Sequence, residues 1–225
     1  MPTWRLHDIG IPEDLAEEVA RVYGYFRLES KLPVTANLSV PANPLLHWEY
    51  QAKKNLADLG FTEIFNYSLV SREIFKKANL DPDPSIALTN PLTSEFEYMR
   101  RSLIPSLLMD LGNNQGKVDL PIRIFELSNI YLPADSAGLP EERSILTTAT
   151  QGIDYRRSKG YLETLLASLH LPNISFIPAE ESLGPWQPNQ TAEVYSDKHF
   201  IGVFGAIKPG VKEAFKLNGE VYLAN

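Results

Sequence analysis

The chain has 225 residues, 44% of them apolar, a formal net charge of −7 and no cysteine. The length suffices for one full domain, or a domain with a short appendage, and no apolar run approaches the roughly 18–20 residues needed to cross a bilayer. The missing cysteines exclude disulfides, thiolate zinc sites and a cysteine nucleophile, and the acidic balance, with Lys and Arg scattered as in Lys53-Lys54 or Arg100-Arg101, argues against an extensive grip on a nucleic-acid backbone.

In chain order, the start (Met1-Pro2-Thr3-Trp4-Arg5) has neither the apolar core of a secretory signal nor an arginine-rich leader. Residues 12–23 predict a first helix: Pro12 suits its first turn, Leu15, Val19 and Val22 recur at helical spacing, and Gly24 ends it. Residues 31–43, with Pro33, Pro41 and two Asn, read as a linker, which places a domain boundary near residue 40. A second helix follows from Asn43 (N-cap) and Pro44 (N1) to a stop at Gly60. Leu45, Trp48, Ala52, Leu56 and Leu59 form one apolar stripe, and Leu46 and Tyr50 add a second patch. A helix with two apolar faces touches two bodies, its own sheet and a neighbour.

From Phe61 to Tyr67 the period becomes two, a strand with apolar residues on both faces. A short helix from Ser71 and a turn at Asp81-Pro-Asp-Pro come next. Ser102 caps a helix over 103–114, and Ser158–Leu169 forms an amphipathic helix. Residues 123–132, 143–150, 192–195, 200–207 and 220–223 read as strands. Strands adjacent in sequence with dispersed helices predict an α+β fold. We expect six to eight strands in a mainly antiparallel sheet flanked by helices, with residues 1–40 outside it.

Few residue groups suggest chemistry. Asp14, Glu17 and Glu18 point to one side of the first helix, with Asp8 just before it. Converging carboxylates call for a cation, and hard oxygens suit Mg²⁺ or Ca²⁺. The plainer reading is a solvated acidic helix start, favoured by the helix dipole. Arg123-Ile-Phe-Glu126 has the spacing of a strand that holds ATP in class II synthetases, with a cross-strand salt bridge as the plainer reading. Gly202-Val-Phe-Gly205 opens no helix, so close backbone packing explains it better than a phosphate loop. The four histidines, His7, His47, His170 and His199, lack metal-ligand spacing.

Several segments in order resemble the beta subunit of bacterial phenylalanyl-tRNA synthetase. They are Arg5-Leu-His-Asp-Ile9 with Glu13-Asp-Leu-Ala-Glu-Glu-Val-Ala-Arg-Val-Tyr-Gly-Tyr25; Leu59-Gly-Phe-Thr-Glu-Ile64 with Tyr67-Ser68; Asn90-Pro-Leu-Thr-Ser94 through Met99-Arg-Arg-Ser-Leu-Ile-Pro-Ser-Leu-Leu108; Arg123-Ile-Phe-Glu-Leu127; and Pro140-Glu-Glu-Arg143. The resemblance implies that residues 1–40 are the tail of a small preceding domain and a linker, and that 41–225 are a class II synthetase-like, catalytically inactive domain. No catalytic and no cofactor-binding residue is therefore expected. It also implies a catalytic alpha subunit as partner in an alpha2beta2 tetramer, contact with tRNA(Phe) only through the whole enzyme, and a cytoplasmic location. Residues matching the family's Mg²⁺ ligands, in a site shared with the alpha subunit, are Asp8, Asp14, Glu17 and Glu18. The chain departs from the family at Gln187-Pro-Asn-Gln-Thr-Ala192, where a His-Pro-Gly-x-Ser-Ala segment is usual, and at Gly202–Pro209, which keeps no His before Pro209. The start inside a motif and the end on a strand lead us to expect a piece of a longer chain. The competing reading is a short, self-sufficient adenylate-forming enzyme. It meets one obstacle in the residues: after Gly205 only Lys208, Lys212 and Lys216 could hold a γ-phosphate, and lysine lacks arginine's planar fork.

Overall fold

Local capping chemistry sets most helix ends in this computed structural model, which describes residues 3–5, 7–32, 41–134, 138–180 and 184–225. Residues 33–40, most of the expected linker including Pro33, lie outside the described residues. The chain divides into two compact units, Met1–Ala42 and Asn43–Asn225.

In the first unit, α1 (Pro12–Tyr23) begins and ends where Pro12 and Gly24 predict, with the Gly24 N–H closing on Ala20 O at 2.8 Å. None of its residues is buried; Leu15, Val19 and Val22 form an exposed stripe.

In the second unit, Asn43 caps α2 (Pro44–Asp58) by accepting from the Leu45 N–H at 3.0 Å. Its end is a Schellman motif. The Phe61 N–H reaches Leu56 O, the Gly60 N–H reaches Ala57 O, and Gly60 sits at φ +79°. The remaining elements are β1 (Thr62–Glu63), β2 (Leu69–Val70), α3 (Arg72–Lys77, capped by Ser71), β3 (Tyr98–Met99), α4 (Ile104–Asn114), β4 (Ile122–Leu132), β5 (Glu141–Gln151), α5 (Tyr155–Ser168), β6 (Ile174–Pro178), β7 (Trp186–Ser196), β8 (His199–Ile207), α6 (Pro209–Ala214) and β9 (Val221–Ala224).

Seven strands form one sheet in the order β1-β4-β5-β9-β8-β7-β6. Every neighbouring pair is antiparallel except β1–β4. This is the predicted α+β architecture. Period-two alternation sends side chains to two apolar layers. Ile122 and Ile124 of β4, Ala149 of β5 and Leu223 of β9 meet α3, α4 and α6 through Phe75, Leu107, Leu111 and Val211. Phe125 packs on the other face with Leu56 of α2 and Leu165 of α5. Farther along that face, Leu166 of α5 meets Phe204 and Tyr222.

Several sequence expectations change. The strand expected over 61–67 is a ladder only at Thr62–Glu63. Helix α5 starts at Tyr155, not Ser158, because Asp154 accepts from the Arg157 N–H at 3.0 Å. Ser158 is instead buried and bonded to Thr150 Oγ1 at 2.8 Å. Strand β6, the β2–β3 pair and α6 carried no strong periodic signal and were not expected. Gly202 and Gly205 do mark close packing. A Cβ at Gly205 would lie 2.6 Å from Gln190 O, and one at Gly202 would lie 2.5 Å from Asn225 O.

Candidate functional site

The acidic helix start serves its own helix. Asp14 Oδ2 accepts from the backbone N–H groups of Gly10 (2.7 Å) and Ile11 (3.0 Å). These bonds, Ile11 first and Gly10 second, hold its carboxyl below the usual range, so it stays ionised. Glu18 accepts from Arg21 Nε at 3.2 Å and from Nη2. Asp8 and Glu17 are exposed. The donors are the hard oxygens that Mg²⁺ takes, but among the described residues no group of three or more His, Asp or Glu side chains is gathered to hold a metal. All four histidines are exposed.

Arg123 and Glu126 do not pair with each other. Three residues apart on a strand, they face opposite sides of the sheet. Arg123 Nη1 donates to Leu59 O at 2.9 Å and to Tyr161 Oη at 3.1 Å, with its guanidinium 5.6 Å from the Tyr161 ring centre. Its fork thus closes the C-terminus of α2 against α5. Beside Tyr161 the free space between α5 and the sheet is about 10 Å³, no more than one water. Both of these bonds are made by Nη1, so that nitrogen is committed to holding α2 and α5 together.

Glu126, on the other face, ends in a buried polar network. Arg100 and Glu126, each 1% exposed, form an ion pair of 2.7 Å from Nη1 to Oε1. Arg100 also donates to Ser128 Oγ (2.6 Å), Asn129 O (3.0 Å) and Asn66 O (3.3 Å). Asn66 Nδ2 donates to Glu126 Oε2 (2.9 Å) and Asp110 Oδ2 (2.8 Å). Sequence reasoning missed Arg100, Asn66 and Asp110. Arg100 looked like one of several scattered basic residues, and nothing local marks it as buried.

The apolar stripe of α2 divides differently from expectation. Only Ala52 and Leu56 of it are buried. Leu45 and Trp48 are exposed together with Leu46 (60%) and Tyr50 (64%), so the N-terminal half of the helix is apolar on both sides and uncovered. Phe65 and Tyr67 are also exposed, 77% and 76%. In residues 64–68 the period of two persists, but the aromatic rings point outward while Asn66 turns in toward Glu126.

The sequence model of the phenylalanyl tRNA synthetase beta chain CLM domain matches residues 28–225. The chain belongs to the phenylalanyl-tRNA synthetase beta chain family. A second model, the tRNA synthetase B5 domain, matches residues 1–25 of this family member. A phenylalanine–tRNA ligase beta subunit of Clostridium tetani is 31% identical over 231 residues, covering 100% of this chain and 29% of the relative. That of Syntrophus aciditrophicus is 32% identical over 228 residues, covering 93% of this chain and 28% of the relative. The chain therefore spans less than a third of the length of these curated beta subunits. In fold, the chain resembles a pyrrolysyl-tRNA synthetase of Desulfitobacterium hafniense, at TM-score 0.66 and 17% identity over 80% of this chain and 63% of the other. That likeness places its sheet among class II synthetase folds.

Proposed function

We propose that this chain is the class II-like part of a phenylalanine–tRNA ligase beta subunit, that it docks the catalytic alpha subunit, and that it forms no aminoacyl-adenylate itself. The observation that carries the docking role is the uncovered apolar half of α2, Leu45, Leu46, Trp48 and Tyr50. Four large apolar side chains left exposed within two turns of one helix suit a protein interface. The lack of adenylate chemistry is supported by the engagement of Arg123 with Leu59 O and Tyr161. The reading extends to an alpha2beta2 enzyme in the cytoplasm, acting on tRNA(Phe) through parts beyond this chain. Among the described residues no helix is long and apolar enough to cross a membrane. We divide the chain into residues 1–40, the tail of a preceding small domain with its linker, and 41–225, the docking module. For Mg²⁺ we assign Asp8, Asp14, Glu17 and Glu18, the alpha subunit completing the site. Their hard oxygens and the helical spacing of the last three support the assignment; when bound, the ion would neutralise these carboxylates at the subunit contact.

Replacing Leu46 and Tyr50 by Ser tests the docking role. Each side chain buried at an interface contributes on the order of 1.5–3 kcal/mol. The double variant should bind the alpha subunit at least about tenfold more weakly with an unchanged thermal midpoint. Parent-like affinity would remove this face as the interface.

A further inference from the structure

Segment 59–68 joins α2 to β2 and carries the exposed Phe65 and Tyr67. Thr62 and Glu63 pair in a ladder, the Ile64 N–H reaches Phe125 O and the Arg100 N–H reaches Ser68 O, so the ladder stops short of the stretch Phe65–Tyr67. Side-chain anchors stand in for the missing ladder, and they converge on β4. Arg123 bonds Leu59 O at the start of the segment, from one face of the strand. Glu126, on the opposite face, accepts from the Asn66 backbone N–H (3.4 Å) and from Asn66 Nδ2 (2.9 Å). Arg100, paired with Glu126, donates to Asn66 O. A side chain at Gly60 would crowd this arrangement, since a Cβ there would stand 2.8 Å from Arg123 Nη2.

We propose that Arg123 and Glu126 are positioning residues that clamp residues 59–68 from both faces of β4 and so fix how Phe65, Tyr67 and the exposed side of α2 are presented to the alpha subunit. The inference rests on the docking role proposed above. Ordering a loop during association costs backbone entropy at every residue fixed, and a surface set beforehand avoids that cost. An odd offset along a strand puts one anchor on each face, which explains the Arg-x-x-Glu spacing without a nucleotide. A buried ion pair contributes little net stability over an apolar pair of similar volume, and specifying a single geometry is the role it serves here.

The test uses the full-length beta chain with its alpha subunit, reading affinity and amide hydrogen exchange. Arg123→Met removes the donors and keeps an apolar stem. Asn66→Ala releases the loop arm while leaving Arg100 and Glu126 paired, which avoids the unfolding risk of a Glu126 variant. Leu46→Ser with Tyr50→Ser runs in parallel as the direct surface control. In both clamp variants, exchange at residues 61–68 should rise about tenfold while β8 and β9 keep their protection, and affinity for the alpha subunit should fall roughly tenfold. If the surface control weakens binding and the clamp variants bind like the parent, docking stands and the clamp is wrong. If the surface control also binds like the parent, the docking reading itself fails and the clamp with it. Weaker binding without the local rise in exchange, or with a rise throughout the sheet, also overturns the positioning role.

Discussion

Asn66 lies between two carboxylates, Asp110 and Glu126, and donates to both from one amide nitrogen. Burial above all pushes the Asp110 carboxyl above its usual range; the Asn66 hydrogen bond pulls it back, and the Glu126 charge adds to the rise. A carboxyl with a raised folded pKa favours the protonated native state. Its contribution to stability is fully present below the unfolded value of about 3.8 and is lost as pH rises through the folded value. Asp110→Asn imitates the protonated form and can still accept from Asn66. The variant should be at least as stable as the parent at pH 7, with a flatter stability profile in the window just above pH 4. Urea unfolding across pH 4–7 checks this, and a variant less stable at neutral pH would mean that the network uses the charge. None of this was legible in sequence. Arg100, Asn66, Asp110 and Glu126 are 26 to 60 residues from their partners, and a long-range polar network leaves no periodic trace.

At the scale of elements, helix ends were read from sequence because capping is local: Asn43, Ser71, Gly24 and Gly60 each act within a few residues of their own position. Burial was not. The α2 stripe has helical spacing throughout, yet only its C-terminal half packs inward, with Ala52 buried and Leu56 and Leu59 against α5 and the sheet. Glycines show the same division. Gly205 faces the Gln190 and Thr191 backbone of β7, whereas a Cβ at Gly160 in α5 meets nothing within 4 Å. Gly205→Ala should therefore force the β7–β8 pair apart and cost about 1–3 kcal/mol. Gly160→Ala should stabilise the chain by about 0.5–1 kcal/mol through helix propensity. Thermal or denaturant unfolding of the two variants separates these signs.

At the scale of the whole molecule, the acidic start of α1 shows how a surface depends on what it meets. Within this chain Asp14 caps its own helix and Glu18 bonds Arg21, which is the plain reading of an acidic first turn. An ion site shared between chains needs the second chain to gather the remaining ligands. Glu17→Gln with Glu18→Gln removes two charges with little change of shape. Assembly of that variant with the alpha subunit, followed by sedimentation over a Mg²⁺ titration, should lose its dependence on Mg²⁺ or fail. An unchanged Mg²⁺ requirement would leave these residues as a helix start and nothing more.

The sequence by itself determined the fold class, the positions of most helices and long strands, and the family, because caps, apolar periods and ordered motifs are short-range or collinear signals. Tertiary structure alone decided what Arg123 and Glu126 do. Their spacing suggests a phosphate site, but a strand's alternation sends them to opposite faces, where one meets the end of α2 and Tyr161 and the other meets Arg100 and Asn66. The same holds for residues 64–68. Their alternation is visible in sequence, yet which side faces inward was set by the buried partner of Asn66, and an unpaired Arg100 in that core would cost several kcal/mol.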